Sequence, residues 1–225
     1  MKWMYMLLLT QVLVFIIGWV TALQNKSRET NKELPLWTRL TLSFSLSGVA
    51  LLFWLNHLDS PYHRWVFWGM LLSTLGDLFM AGLIPFANHL IGGMITFSIA
   101  HVFYVVAFIQ TADVTEHLFT SVLIYGAFLI IGWIFFIRNP AESKIFTVGA
   151  LLYGLWVGGM AAVGLALALK LGGAWWWVAI GGSLFVLSDF LIGMTEIGKH
   201  PLRHAPLWIW GTYVAAQMGI IYASL

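Results

Sequence analysis

Eight apolar runs of near-bilayer length, joined by connectors too short to hold a domain, leave this chain of 225 residues few ways to fold. A membrane span takes about 20 apolar residues. On that ruler the runs fall at about 3–23, 38–56, 65–84, 91–110, 118–137, 145–169, 174–194 and 205–224. Inside hydrocarbon each backbone amide must bond within its own segment, so every run reads as a helix. Most connectors are short and carry Pro or Gly (Pro61, Pro85, Pro140, Gly172-Gly173, Pro201), which makes successive helices antiparallel neighbours. One connector is long and polar, Gln24 to Glu33, closing on Pro35. Charged residues make up only 9% of the chain and mean hydropathy is +0.88, whereas a soluble domain carries about 25% charged residues. The expected fold is an all-α polytopic membrane bundle of eight transmembrane helices, with residues 1–225 forming a single transmembrane domain. The run Trp3–Leu23 is long enough to span and has no small-x-small cleavage site ahead of Gln24. It reads as the first helix, not as a signal peptide.

Several function classes drop out at once. Cysteine is absent, which excludes disulfides, thiolate nucleophiles and Cys-ligated metals. The net charge of +2 is spread over loops, so nothing points to nucleic acid as a partner. The loop histidines (His57, His63, His89, His117, His200, His204) lack the helical pair spacing of a metal site, and no cofactor is expected. Counting basic residues by side sets Lys26, Arg28, Lys32, Arg39, Arg138, Lys144, Lys199 and Arg203 against Lys2, Arg64 and Lys170. That asymmetry predicts both termini outside and the long polar loop in the cytoplasm. Trp3, Trp37, the Trp175-Trp176-Trp177 cluster, Trp208 and Trp210 fall near helix ends and read as interfacial anchors.

Two acids lie inside apolar runs. Asp77 follows Leu72-Ser73-Thr74-Leu75-Gly76, and Asp189 follows Leu184-Phe185-Val186-Leu187-Ser188. An intramembrane carboxylate costs at least a few kcal/mol, so it is a functional candidate by default. The run after each acid is alike as well: Thr96-Phe97-x-x-Ala100-His101 matches Thr212-Tyr213-x-x-Ala216-Gln217. With four helices between the copies, the pattern predicts a 4+4 parallel repeat, set against chance similarity among apolar helices. Counting from the helix starts puts Asp77 about 12 and Asp189 about 14 residues in, roughly 18–21 Å along each axis. His101 and Gln217 enter from the other end and reach a similar depth about 10–12 residues in. Four polar side chains from four helices are therefore expected on one level, opening toward the cytoplasmic half.

Two carboxylates in a low-dielectric site cannot both ionise cheaply, so their protonation states separate and they can work as an acid and a base. The plain alternative is a pair of structural acids satisfied by neighbouring hydroxyls. His101, with Phe97 and Tyr104 on the same face, is a candidate shuttle or substrate donor, or else interhelical packing. Tyr213 and Gln217 share a face four residues apart, and Ser188 is either a site hydroxyl or a bond to its own helix backbone. Tyr153, Trp156 and Met160 line one side of the sixth helix, where Gly154-x-x-x-Gly158 permits close approach; packing is the ordinary reading and a substrate wall the sharper one.

In order and spacing, these motifs resemble the YhhN family, which includes lysoplasmalogenases. The motifs are Gly76-Asp77; Gly93-x-x-x-Phe97-x-x-x-His101-x-x-Tyr104; Leu184-Phe185-x-x-Ser188-Asp189; and Tyr213-x-x-Ala216-Gln217. The chain departs from the family in having Pro35 and Arg39 where relatives open the second helix with a Lys-Pro pair. The resemblance implies an eight-helix membrane hydrolase, with Asp77 and Asp189 as its catalytic pair. Its substrate would be the vinyl ether bond of a lysophospholipid, cut to a fatty aldehyde and a glycerophospho head group. His101, Tyr104, Tyr213 and Gln217 would then orient the acids, the water or the ether oxygen. The rival reading is a proton-coupled transporter using the same two acids; a non-catalytic lipid-binding protein is a third. Oligomeric state is not legible.

Overall fold

The computed structural model describes residues 2–25 and 32–223. Among them lie eight α-helices and no strand: α1 (Lys2–Gln24), α2 (Leu36–Asn56), α3 (Pro61–Met80), α4 (His89–Ile109), α5 (Thr115–Gly132), α6 (Lys144–Leu171), α7 (Trp176–Ile192) and α8 (Ala205–Tyr222). Lys26 and Arg28 of the polar connector lie outside the described residues. The chain divides after Thr111 into two compact units, one holding α1–α4 and the other α5–α8. Within each unit consecutive helices pack on one another, α1 on α2, α2 on α3 and α3 on α4, then α5 on α6, α6 on α7 and α7 on α8.

Among the described residues, six helical segments are long and apolar enough to cross a membrane: 3–24, 36–56, 89–109, 115–137, 144–171 and 173–197. The chain is an integral membrane protein. The other two helices of the expected eight, α3 and α8, are less apolar than these six. The physical reason is local: Asp77, His63 and Arg64 dilute α3, and Gln217, Tyr213 and two tryptophans dilute α8.

Local chemistry explains most helix ends. Asn88 Oδ1 accepts from the Ile91 amide at 3.2 Å and Ser143 Oγ from the Phe146 amide at 3.3 Å, capping α4 and α6. Ahead of α5, Thr115 donates its hydroxyl and its amide to Asp113 Oδ1, at 2.6 and 3.0 Å, and holds that exposed carboxyl below its ordinary range. Helix α3 occupies 61–80, not the expected 65–84. Pro61, with φ preset for the first turn, starts it a turn early. Gly82, at φ +72°, stops it: its amide bonds the Phe79 carbonyl and the Leu83 amide bonds that of Leu78, the paired closure of a Schellman turn. His63 therefore belongs to the first turn of α3, buried, with its ring 4.6 Å from that of His57. Helices α5 and α7 each run on into a π-turn, Trp133–Ile137 and Gly193–Ile197.

Glycines set the closest approaches. A Cβ at Gly181 would sit 2.7 Å from the Ala216 carbonyl oxygen of α8, and one at Gly182 would sit 3.1 Å from Ala161 Cα of α6. Two neighbouring residues thus let α7 press against both partners. The tryptophans expected as anchors are largely exposed at helix ends, including Trp3, Trp37, Trp176, Trp177 and Trp208. Replacing Gly181 with Ala is expected to cost about 1–3 kcal/mol through overpacking. Gly149→Ala, with open space around it, should leave the thermal midpoint unchanged or raise it. Midpoints of the two variants in detergent, compared with the parent, check this.

Candidate functional site

In the first unit the site is built on the face that α3 turns to α2. Ser43 and Ser47 stand one turn apart on α2 and meet Asp77 and Thr74 of α3. Ser43 Oγ donates to Asp77 Oδ2 at 2.5 Å, and the hydroxyls of Ser47 and Thr74 lie 2.8 Å apart. Thr74 Oγ1 also donates to the Ser43 carbonyl at 3.1 Å. All four side chains are buried. Asp77 sits in the last turn of α3, nearer its end than the expected twelfth position, because α3 starts and stops a turn early. An ionised carboxylate there faces the negative end of the helix dipole, so a donated hydrogen bond supports it.

The adjoining face of α3, about 100° around the helix, meets α4. Tyr104 lies in the space left by Gly69, where a Cβ would be 2.5 Å from Tyr104 Cε1. Its hydroxyl is 3.2 Å from Ser73 Oγ. Phe97 covers Gly76, the residue ahead of Asp77. His101 is fully buried, its ring 6.3 Å from that of Tyr104. From the pairing of Gly76 with Phe97 and Gly69 with Tyr104, His101 stands about one and a half turns along α3 from Asp77.

The second unit holds its acid in the same way. Tyr153 of α6 donates its hydroxyl to Asp189 Oδ2 of α7 at 2.9 Å, both side chains half-buried. The expected wall residue thus touches the acid itself. Ser188 Oγ donates not to its own helix but to the Ile209 carbonyl of α8, at 3.0 Å. Tyr213 stacks edge-on against Phe185 at 5.5 Å and Trp210 at 5.4 Å, and Gln217 is fully buried. The turn after Asp189 opens into the π-turn Gly193–Ile197, which packs against the other π-turn: a Cβ at Gly193 would meet Ile137, and Asn139 Nδ2 donates to the Ile197 carbonyl at 3.1 Å. Wide turns of this kind recur at functional sites.

The helix pairs that follow the two acids share a contact register. Gly69 precedes Asp77 by the same interval as Gly181 precedes Asp189, and each receives the residue at the matching place on the next helix, Tyr104 or Ile220. Gly76 and Gly93 approach where Ser188 and Ile209 bond. Thr96 and Thr212, also matched, each donate to carbonyls three and four residues back. Among the described residues no three His, Asp or Glu side chains gather as a metal centre needs.

Residues 37–224 match the sequence profile of the YhhN family, described by that name alone. The chain belongs to the YhhN family. The match takes in both acids, both following helices and the hydroxyl-bearing helices α2 and α6, and it begins beyond α1. No curated protein and no solved structure matches the chain.

Within this YhhN protein Ser43, Ser47 and Thr74 were not anticipated from the sequence. The one available signal was the spacing of two serines a turn apart on the helix preceding an acid. Hydrogen bonds between membrane helices are worth about 0.6 kcal/mol on average and at most about 1.7. A double-mutant cycle on Ser47→Ala and Thr74→Val, read by unfolding in detergent, should return a coupling in that range.

Proposed function

We propose that this protein is an intramembrane hydrolase cleaving the vinyl ether bond of lysoplasmalogens, with Asp77 and Asp189 as its acid–base pair. The observation that carries the reading is the matched setting of the two acids. Each stands three residues from the end of the third helix of its unit and accepts a hydroxyl bond from the second. Membership of the YhhN family supports it, through the resemblance of the motifs around both acids to those of lysoplasmalogenases.

The chemistry calls for two carboxyl groups in opposite protonation states. A protonated one delivers its proton to the alkene carbon not bonded to oxygen, leaving an oxocarbenium ion at the carbon that is. The ionised one stabilises that cation and takes a proton from water as it adds. The resulting hemiacetal breaks its carbon–oxygen bond, releasing a fatty aldehyde and the free hydroxyl of the glycerophospho head group. One water is consumed, and the proton lent by the acid is replaced by the one the base removed. Neither a covalent nucleophile nor an oxidant is required. His101, Tyr104, Tyr213 and Gln217 would orient water or the ether oxygen, with Phe97 and Ser188 shaping the surroundings.

In this reading α3 and α8 cross the bilayer with the six more apolar helices, the two units are parallel copies, both termini lie outside and the substrate enters from surrounding lipid. A carrier would be favoured by helices broken at the acids, but α3 and α7 run unbroken through Asp77 and Asp189. Purified protein in lipid nanodiscs should release aldehyde from an alkenyl lysophospholipid. Asp77→Asn and Asp189→Asn should each lower turnover by about 10²–10⁴-fold, the share general acid–base catalysis supplies. Full turnover in either folded variant rejects the pair, and lysoplasmalogen transport without aldehyde would establish the carrier.

A further inference from the structure

Ser43 and Tyr153 come from different helices and have different side chains, yet they do one thing in common. Each reaches across from the second helix of its unit and donates to Oδ2 of the acid on the third, at 2.5 and 2.9 Å. In each case the matched glycine, Gly69 or Gly181, lets the fourth helix close on the other side of the acid-bearing one. We infer that Ser43 and Tyr153 are positioning residues, each fixing its carboxylate through Oδ2, and that the change from alcohol to phenol helps to make two matched acids unequal. This rests on the hydrolase reading of Asp77 and Asp189.

The surroundings support a positioning role over a packing role. Ser43 adds almost no apolar surface to a bundle that has it in excess. Its backbone carbonyl is itself fixed by Thr74, which locks the turn of α2 that carries the hydroxyl. Thr74 is in turn tied to Ser47, so Asp77 is held through a chain of buried hydroxyls running back along α2 and α3. Tyr153 reaches Asp189 with a rigid ring instead. The ring's length brings the donor from a helix position one alcohol could not serve. Where the halves otherwise match, the donors differ, and so do the buried residues on the following helices, His101 and Gln217. Division of labour between like acids needs such a difference in their partners.

The test compares Ser43→Ala, Ser43→Thr and Tyr153→Phe with Ser121→Ala, which removes a buried hydroxyl bonded to the His117 carbonyl of its own helix. Aldehyde release from alkenyl lysophospholipid in nanodiscs is followed across pH. Ser43→Ala and Tyr153→Phe should lower kcat about 10- to 100-fold, the worth of a hydrogen bond to a charged group. Each should displace a different limb of the pH–rate profile by about one unit. Ser43→Thr should restore both rate and profile, and Ser121→Ala should leave the profile unmoved. A substrate-free readout separates the two ideas: infrared carboxyl bands assigned by their loss in Asp77→Asn and Asp189→Asn. Ser43→Ala should move the Asp77 band alone, and Tyr153→Phe the Asp189 band alone. Unmoved bands and profiles in folded variants overturn the inference. Bands that move as expected in a protein that releases no aldehyde keep each hydroxyl with its acid and reject the substrate.

Discussion

A carboxyl group set among apolar helices has little water to turn to, and the bundle must supply its hydrogen bonds. Here the supply is a serine on α2 for Asp77 and a tyrosine on α6 for Asp189. The balance of magnitudes is informative. One interhelical hydrogen bond returns about 0.6 kcal/mol on average, while burying an acid costs a few kcal/mol or more. One hydroxyl bond does not by itself offset such a burial, and this imbalance is what makes the two acids candidates for the proposed chemistry.

The same constraint explains how the units are packed. In each, the acid-bearing helix carries a glycine that admits the following helix closely, Gly69 against Tyr104 and Gly181 against Ala216 and Ile220. Close approach limits the freedom of the acid's own helix and fixes the direction of its side chain. It also frees α1, α5 and the outer face of α2 for contact with lipid, and their exposed Leu, Ile and Phe side chains are what a hydrocarbon solvent would wet.

The sequence displayed the helix number, their order and the two acids, because long apolar runs and charges within them are visible without any three-dimensional information. Tyr153 was visible as one of three residues on a face, but its partner was not, since which residue of α7 meets that face depends on how α6 is rotated. Ser43 and Ser47 were hidden for a simpler reason. Small hydroxyls are common in membrane helices, and only the packing of α2 on α3 separates those that bond an acid from those that bond their own backbone, as Thr10 and Thr21 do. The end of α3 was misplaced because Leu83 and Ile84 continue the apolar run past a glycine that takes a left-handed conformation. That error moved Asp77 by a turn. The π-turns have no residue pattern of their own and could not be read at all.

One of those wide turns has a bearing on how chains of this kind can diverge. Gly193–Ile197 begins one residue past the end of α7, between Asp189 and the loop that carries Lys199, Pro201 and Arg203. A π-turn takes up one more residue than an α-turn before the hydrogen-bonding pattern resumes. An insertion or deletion of a single residue can therefore be absorbed there, converting one kind of turn to the other, before it reaches the carboxylate. The stretch acts as an expansion joint: the loop downstream is open to change in length and direction while the aim of the acid upstream is kept.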